Sequence, residues 1–105
     1  MRPLIVILAA ASAARAKSGL DLAAASAALG AATRLHIDAG AIGLLGDAGM
    51  IAAIEQACSL GAVLSLCPTG LADAGLTPLP FPDADRCGLV SLLGEAGDDA
   101  RLLVI

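Results

Sequence analysis

The chain has 105 residues, enough for one domain over 1–105 and too few for two. Hydrophobic residues make up 58% before its 12 glycines are counted, whereas an average soluble domain reaches about 45–50% with glycine included, so a disordered chain is excluded. Six basic residues against ten acidic ones give a net charge of −4 and Phe81 is the only aromatic, which excludes a basic stripe for nucleic-acid phosphates, stacked bases and a basic membrane-surface helix.

In chain order, Met1-Arg2-Pro3 and the apolar stretch to Ala14 imitate an export signal, complete with an Ala-Ser-Ala sequence. The stretch is short for a signal and shorter than the roughly 20 residues of a membrane span. The preferred reading is a buried strand over Leu4–Leu8 in a parallel sheet covered on both faces. A loop is expected from Ala9 to Lys17. Ser18-Gly19-Leu20-Asp21 has the form of a capping box with Asp in place of Glu. It predicts a helix over Gly19–Leu29 with Leu20, Ala24, Ala27 and Ala28 on its buried face and Gly30 as its stop.

Thr33–Ile37 alternates polar and apolar residues and reads as a second strand. His36 lies within it, where a polar residue is expected to be exposed or satisfied by a neighbour. Asp38-Ala39-Gly40 is a turn, and Ala41–Leu45 reads as a short third strand. Asp47 caps a helix over Ala48–Leu60, with Met50, Ile51, Ile54, Ala57 and Cys58 inward and Gly61 at its end. Ala62–Leu66 is a strand ended by Cys67-Pro68. Thr69–Ala74 forms a helical turn, and Pro78, Pro80 and Pro82 punctuate a loop. Asp83 or Asp85 caps a last helix over Asp85–Glu95, and Ala100–Ile105 is the final strand. This alternation predicts an α/β fold: a three-layer open sheet, mostly parallel, of about five strands with helices on both faces.

Motifs for several chemistries are missing. Gly40, Gly43 and Gly46 make neither GxGxxG nor a phosphate-binding loop. There is no GxSxG, no CxxC pair and no His/Asp/Glu cluster to suggest a metal. Asp98-Asp99 reads as a solvated edge. Cys58, Cys67 and Cys87 are odd in number and widely spaced, as expected of free thiols in a reducing compartment, hence a cytoplasmic protein.

Parallel sheets bind ligands beyond the carboxyl ends of their strands. Cys67 falls there, directly after a buried strand. Amides of the following turn, with Thr69, would face its sulfur and favour the thiolate, a nucleophile or sulfur carrier. Arg15 and Lys17 from the neighbouring loop would add positive charge. Asp38 at its strand end is a possible orienting group, and Cys87, near the start of the last helix, a possible exchange partner. The alternative for Cys67 and Cys87 is ordinary packing, which is the expected role of Cys58 within its helix.

The segment Leu66-Cys67-Pro68-Thr69-Gly70-Leu71-Ala72-Asp73-Ala74-Gly75-Leu76 resembles the cysteine segment of the DsrE/DsrF-like family, which includes TusD-type sulfur-relay subunits. Gly19-Leu20-Asp21-Leu22-Ala23, Ile37-Asp38-Ala39-Gly40-Ala41-Ile42 and Ala96-Gly97-Asp98-Asp99-Ala100-Arg101 are similar to further family segments in the same order. The resemblance implies a three-layer α/β fold, trimers or hexamers or association with homologous subunits, and no cofactor. It also implies a persulfide on Cys67 that passes to a partner protein. Ala74 departs from the pattern, standing where many members carry arginine. Three functions follow as expectations: a cytosolic sulfur carrier of sulfurtransferase type, a non-catalytic oligomeric domain binding a ligand or partner, and a thiol redox protein using Cys67 and Cys87.

Overall fold

Leu4–Leu8 (β1) is an unbroken apolar run, and all five of its residues are buried in the computed structural model, which describes residues 1–76 and 80–105. It pairs in parallel with Thr33–Ile37 (β2) on one side and Arg101–Val104 (β5) on the other. Val63–Leu66 (β3) follows β2, and Asp85–Arg86 (β4) closes the far edge. The sheet therefore reads β4-β3-β2-β1-β5, with every pairing parallel. This is the α/β open sheet expected from the alternating pattern. Pro78, one of the three prolines expected to punctuate a loop, lies outside the described residues.

The layers follow from handedness. The chain steps from β1 to β4 in one direction, so right-handed crossovers put their connections on one face. That face carries Ala13–Ala28 (α1), a 3-10 segment at Ala39–Gly46, Ala48–Ser59 (α2) and Pro68–Ala74 (α3). Leu20, Ile42, Ile54 and Leu71 from these elements pack with Val6, Leu8, Leu35, Ile37, Leu64 and Leu66 of the sheet. The return from β4 to β5 crosses the opposite face through Leu89–Glu95 (α4), where Leu92 meets Ile5 and Ile7.

Four local expectations are corrected. The first helix starts at Ala13, capped by Ser12, so the segment holding Arg15 and Lys17 is helical rather than loop. Its buried face is Ala16, Gly19, Leu20, Ala23, Ser26 and Ala27, rotated from the expected one, and Ala28 is exposed. In an alanine-rich helix the faces differ too little in hydropathy to be told apart. Ala41–Leu45 is 3-10 helix rather than strand; so short an apolar run suits either state, and packing decided it. The last helix begins at Leu89 behind Gly88, so neither Asp83 nor Asp85 caps it, and Asp85 lies in β4.

Asp47 does cap α2. One carboxylate oxygen accepts from the amides of Gly49 at 2.8 Å and Met50 at 3.2 Å. Met50, Ile54 and Ala57 are buried as expected, while Ile51 and Cys58 are half-buried. Asp47→Ala is expected to cost about 1 kcal/mol, read as a lower urea midpoint with unchanged slope.

The connections at the strands' carboxyl ends are drawn tightly together. A side chain at Gly40 would collide with the carbonyl oxygen of Ala9, which follows β1. One at Gly70, in α3, would stand 2.8 Å from Ala39 Cα and from Ile42 Cγ1. Glycine at these two positions lets the segments after β1, β2 and β3 converge on one rim.

Candidate functional site at the carboxyl edge of the sheet

The parallel ladder continues one residue past the strand ends. The Asp38 amide donates to the Leu8 carbonyl at 3.0 Å, the Cys67 amide to the Ile37 carbonyl at 3.0 Å, and the Cys87 amide to the Leu66 carbonyl at 3.2 Å. Ile37 pairs with Leu66, and Leu66 with Arg86. One step further, the register sets Asp38, Cys67 and Cys87 side by side. Strand side chains alternate, so all three fall on the face opposite Leu66 and Ile37, the α4 face. Cys87 packs there against the Ile5, Ile7 and Leu92 cluster.

One step below lies a second polar row, in which His36 pairs with Ser65 and Ser65 with Asp85. His36 is 0% exposed. Its Nδ1 lies 2.8 Å from the Ser65 hydroxyl. Its Nε2 is 3.7 Å from Asp38 Oδ1 and has no hydrogen-bond partner. Burial pushes the imidazole below its ordinary value; Asp38 works against that shift and Arg34 adds slightly to it. The neutral ring with its proton on Nε2 suits this arrangement: the N–H points at the carboxylate and Ser65 donates to Nδ1. Below this row, Arg34 reaches across β3 to Asp85 at 3.6 Å.

The connection after β3 leaves on the α1–α3 face and the one after β4 on the α4 face, so the carboxyl ends of β3 and β4, which carry Cys67 and Cys87, lie between them. The strand order itself reverses between β1 and β5. Cys67 is the N-cap residue of α3 in extended backbone, is 9% exposed, and is a free thiol. Cys87 is a half-buried free thiol.

The other expected site residues are more scattered. Thr69 is exposed on α3, just after Cys67 and Pro68. Arg15 is exposed in the first turn of α1. Lys17 turns along its own helix to Asp21 at 3.7 Å. No described ion pair or hydrogen bond ties either cation to Cys67. Cys58 lies on α2, away from the rim, and burial followed by Glu55 pushes its thiol up. His36 and Ser65 are the residues the strand pattern did not nominate. The available signal was their spacing, each two residues before a nominated residue and so on its face.

Two open recesses lie elsewhere. One of about 370 Å³ is lined by Pro3, Ala32, Gly61 and Glu95, and one of about 490 Å³ by Cys58, Val63, Phe81 and Asp85. Both sit towards the strands' amino ends, and neither is lined by Cys67. Among the described residues, no three His, Cys, Asp or Glu side chains are grouped to hold a metal ion, and no single helix is long and apolar enough to cross a membrane.

The fold recurs among solved structures. The ychN protein from E. coli aligns with a TM-score of 0.74 over 100% of this chain and 99% of its own, at 22% identity. A conserved protein of unknown function, BT1422 from Bacteroides thetaiotaomicron, aligns with a TM-score of 0.78 over 97% of this chain and 94% of its own, at 13% identity. These likenesses show the shared fold. No family model and no curated protein matches the sequence.

Proposed function

We propose that this protein is a small cytoplasmic sulfur carrier of sulfurtransferase type, with Cys67 as the residue that holds the sulfur. The observation that carries the reading is the place of Cys67: a free thiol at the carboxyl end of β3, at the N-cap of α3. The resemblance of the segment from Leu66 to Leu76 to sulfur-relay proteins supports it.

The chemistry needs no net oxidation. The Cys67 thiol loses its proton to solvent, and the thiolate attacks the sulfane sulfur of a donor persulfide. The donor's sulfur–sulfur bond breaks, the donor leaves as a thiolate, and Cys67 carries the persulfide. A partner's thiolate then attacks the outer sulfur, and Cys67 leaves as a thiolate. Thr69, two residues after Cys67, and the exposed Arg15 and Lys17 of α1 are the groups we assign to balancing the anion, which they reach only around the carboxyl rim, because α1 and α3 pack on the other face of the sheet. Asp38, beside Cys67 in register, is assigned to orienting the incoming thiol.

The expected partners are further copies of this chain or homologous subunits, in a trimer or hexamer, and a donor or acceptor protein. Supporting self-association, α4 covers its sheet face incompletely. Val90 is 89% exposed, Leu102 52% and Val104 58%, with Leu93 and Val63 also exposed. Exposed apolar side chains of this kind favour association. Sedimentation at micromolar concentration should show an oligomer; a clean monomer contradicts this assignment.

The decisive test is alkylation of the native protein across about pH 5–9, with each cysteine followed by peptide mass spectrometry and a parallel incubation with inorganic polysulfide. Cys67 should react before Cys58 and should gain one sulfur atom. Cys67→Ser should abolish that gain while leaving the fold intact. A Cys67 that stays silent until the protein unfolds is a packing residue, and the domain then serves binding or assembly.

A further inference from the structure

We propose that Cys87 is the resolving thiol for Cys67, so that the adjoining carboxyl ends of β3 and β4 form a two-cysteine site. The inference deepens the carrier reading and rests on it for the identity of the sulfur being resolved. Its observations are separate. The ladder runs past both strand ends, with the Cys87 amide on the Leu66 carbonyl, and sets the two cysteines opposite each other on one face. Neighbouring strands lie about 4.8 Å apart. Opposed positions therefore fall within the roughly 4.4–6.8 Å between Cα atoms that a disulfide requires.

The local build favours approach from the Cys87 side. β4 is only two residues long, and its residues are exposed. A strand so short, at the sheet edge, opens at low cost. Cys67 is fixed more firmly, between buried Leu66 and the helix that begins at Pro68. Cys58 has no such relation to either thiol: it belongs to α2 and packs against the core on the other face.

The step balances. The Cys87 thiol gives its proton to solvent, and its thiolate attacks Sγ of the Cys67 persulfide. The bond from Sγ to the outer sulfur breaks, and hydrosulfide leaves with that electron pair. A Cys67–Cys87 bond forms. The two cysteine sulfurs are oxidised to the disulfide, and the sulfane sulfur is reduced to hydrosulfide. A dithiol reductant resets the pair by exchange. The same attack on a mixed disulfide at Cys67 expels a thiolate instead. A persulfide that meets no acceptor is thereby discharged as sulfide.

The test uses the full chain and Cys87→Ser, each with two probes: inorganic polysulfide and an aromatic disulfide. Released sulfide and aromatic thiolate are quantified, and the cysteine peptides are mapped by mass so that Cys58 is scored separately. The native protein should release hydrosulfide in step with a linked Cys67–Cys87 peptide, at a rate independent of protein concentration. Cys87→Ser should keep the persulfide on Cys67 and release sulfide at least about tenfold more slowly. With the aromatic disulfide, the native protein should release two thiolates per Cys67 and the variant one.

If the native protein holds its persulfide as long as the variant does, the resolving role is overturned and the carrier reading stands. If polysulfide loads neither protein but the aromatic disulfide yields the Cys67–Cys87 bridge, the carrier reading fails and the thiol pair stands. An aromatic adduct that persists on Cys67 in the native protein overturns the inference whatever polysulfide does. A Cys67 inert to both probes overturns both.

Discussion

Between pH 7 and about pH 5 this protein will lose stability, and one imidazole will be the main cause. His36 is fully buried, and its titration is held below the ordinary imidazole value of 6.5. The unfolded chain binds the proton near that ordinary value; the folded chain binds it only at lower pH. Below pH 6.5 the unfolded state therefore carries more protons, and stability falls as pH falls. The contribution is fully present above 6.5 and drains away down to the depressed folded value. One proton gives a slope of at most about 1.4 kcal/mol per pH unit. Urea midpoints across that window will measure it.

Two variants isolate the cause. His36→Leu with Ser65→Ala removes both partners of the buried hydrogen bond, which leaves no orphaned polar atom in that pair. The double variant should be nearly flat over the window. Asp38→Asn removes the group that attracts a proton onto Nε2, so the falling limb should reach lower pH. A native slope that survives the double variant would place the titration in another group.

The Asp38–His36–Ser65 array explains why the α4 face of β2 and β3 is polar beneath Cys67. Two polar rows run across the strands, His36 with Ser65 and Asp85, and Asp38 with Cys67 and Cys87, and Arg34 reaches diagonally from below to Asp85. The upper row lies at the carboxyl rim. The Leu92 cluster centres on β1 and reaches these rows through Cys87, so polar side chains occupy ground on β2 and β3 that core residues take elsewhere. The buried Nε2 without a partner lies one row below the cysteines and is aimed at Asp38.

Much of this was legible in the residues. The unbroken apolar run Leu4–Leu8 reads as a buried strand in preference to an export signal, and it forms the second strand from the β5 edge. Asp47 announced its helix, because a short carboxylate before an alanine-rich stretch has two amides to accept from. Cys67 stood at a strand end because Pro68 cannot continue a ladder. The parts that escaped depend on partners far away in sequence. β4 is Asp85-Arg86, two polar residues with no pattern of their own, held by backbone pairing to β3 and by Arg34 from β2. His36 finds its partner 29 residues on, at Ser65. Ser12 rather than Ser18 caps α1, since the alanines on either side suit a helix equally well. Arg15 and Lys17 moved from loop to helix with that boundary. The pairing of Cys67 with Cys87 was visible as an idea, but its register depended on a strand that no local signal marked.

Replacing Leu20 with alanine is expected to remove a large share of the protein's stability, in the upper half of the roughly 2–5 kcal/mol range for buried leucines. The reason is composition. The residues that α1 buries are Ala16, Gly19, Leu20, Ala23, Ser26 and Ala27, so Leu20 is its one large anchor. It is 1% exposed and packs in the main cluster with Val6 and Leu8. In a core with longer neighbours, side chains swing into a vacated space and recover part of the loss. The small residues beside it on α1 have no rotamers to swing, so refilling falls to the sheet side chains alone and much of the cavity stays open. Against a total stability of about 5–15 kcal/mol, the loss should appear as a much lower urea midpoint with an unchanged slope. Gly19 gives the contrasting case. A side chain there would meet Ile105 Cδ1 at 2.6 Å, the end of a movable side chain, and Leu8 Cδ2 at 3.2 Å. Gly19→Ala should therefore cost less than Leu20→Ala, although the two sites adjoin. Leu20→Met, which nearly conserves volume, should cost under about 1.5 kcal/mol. If Leu20→Ala costs no more than Leu20→Met, then α1 settles onto the sheet without its anchor, and the close packing of small residues is what holds the first layer.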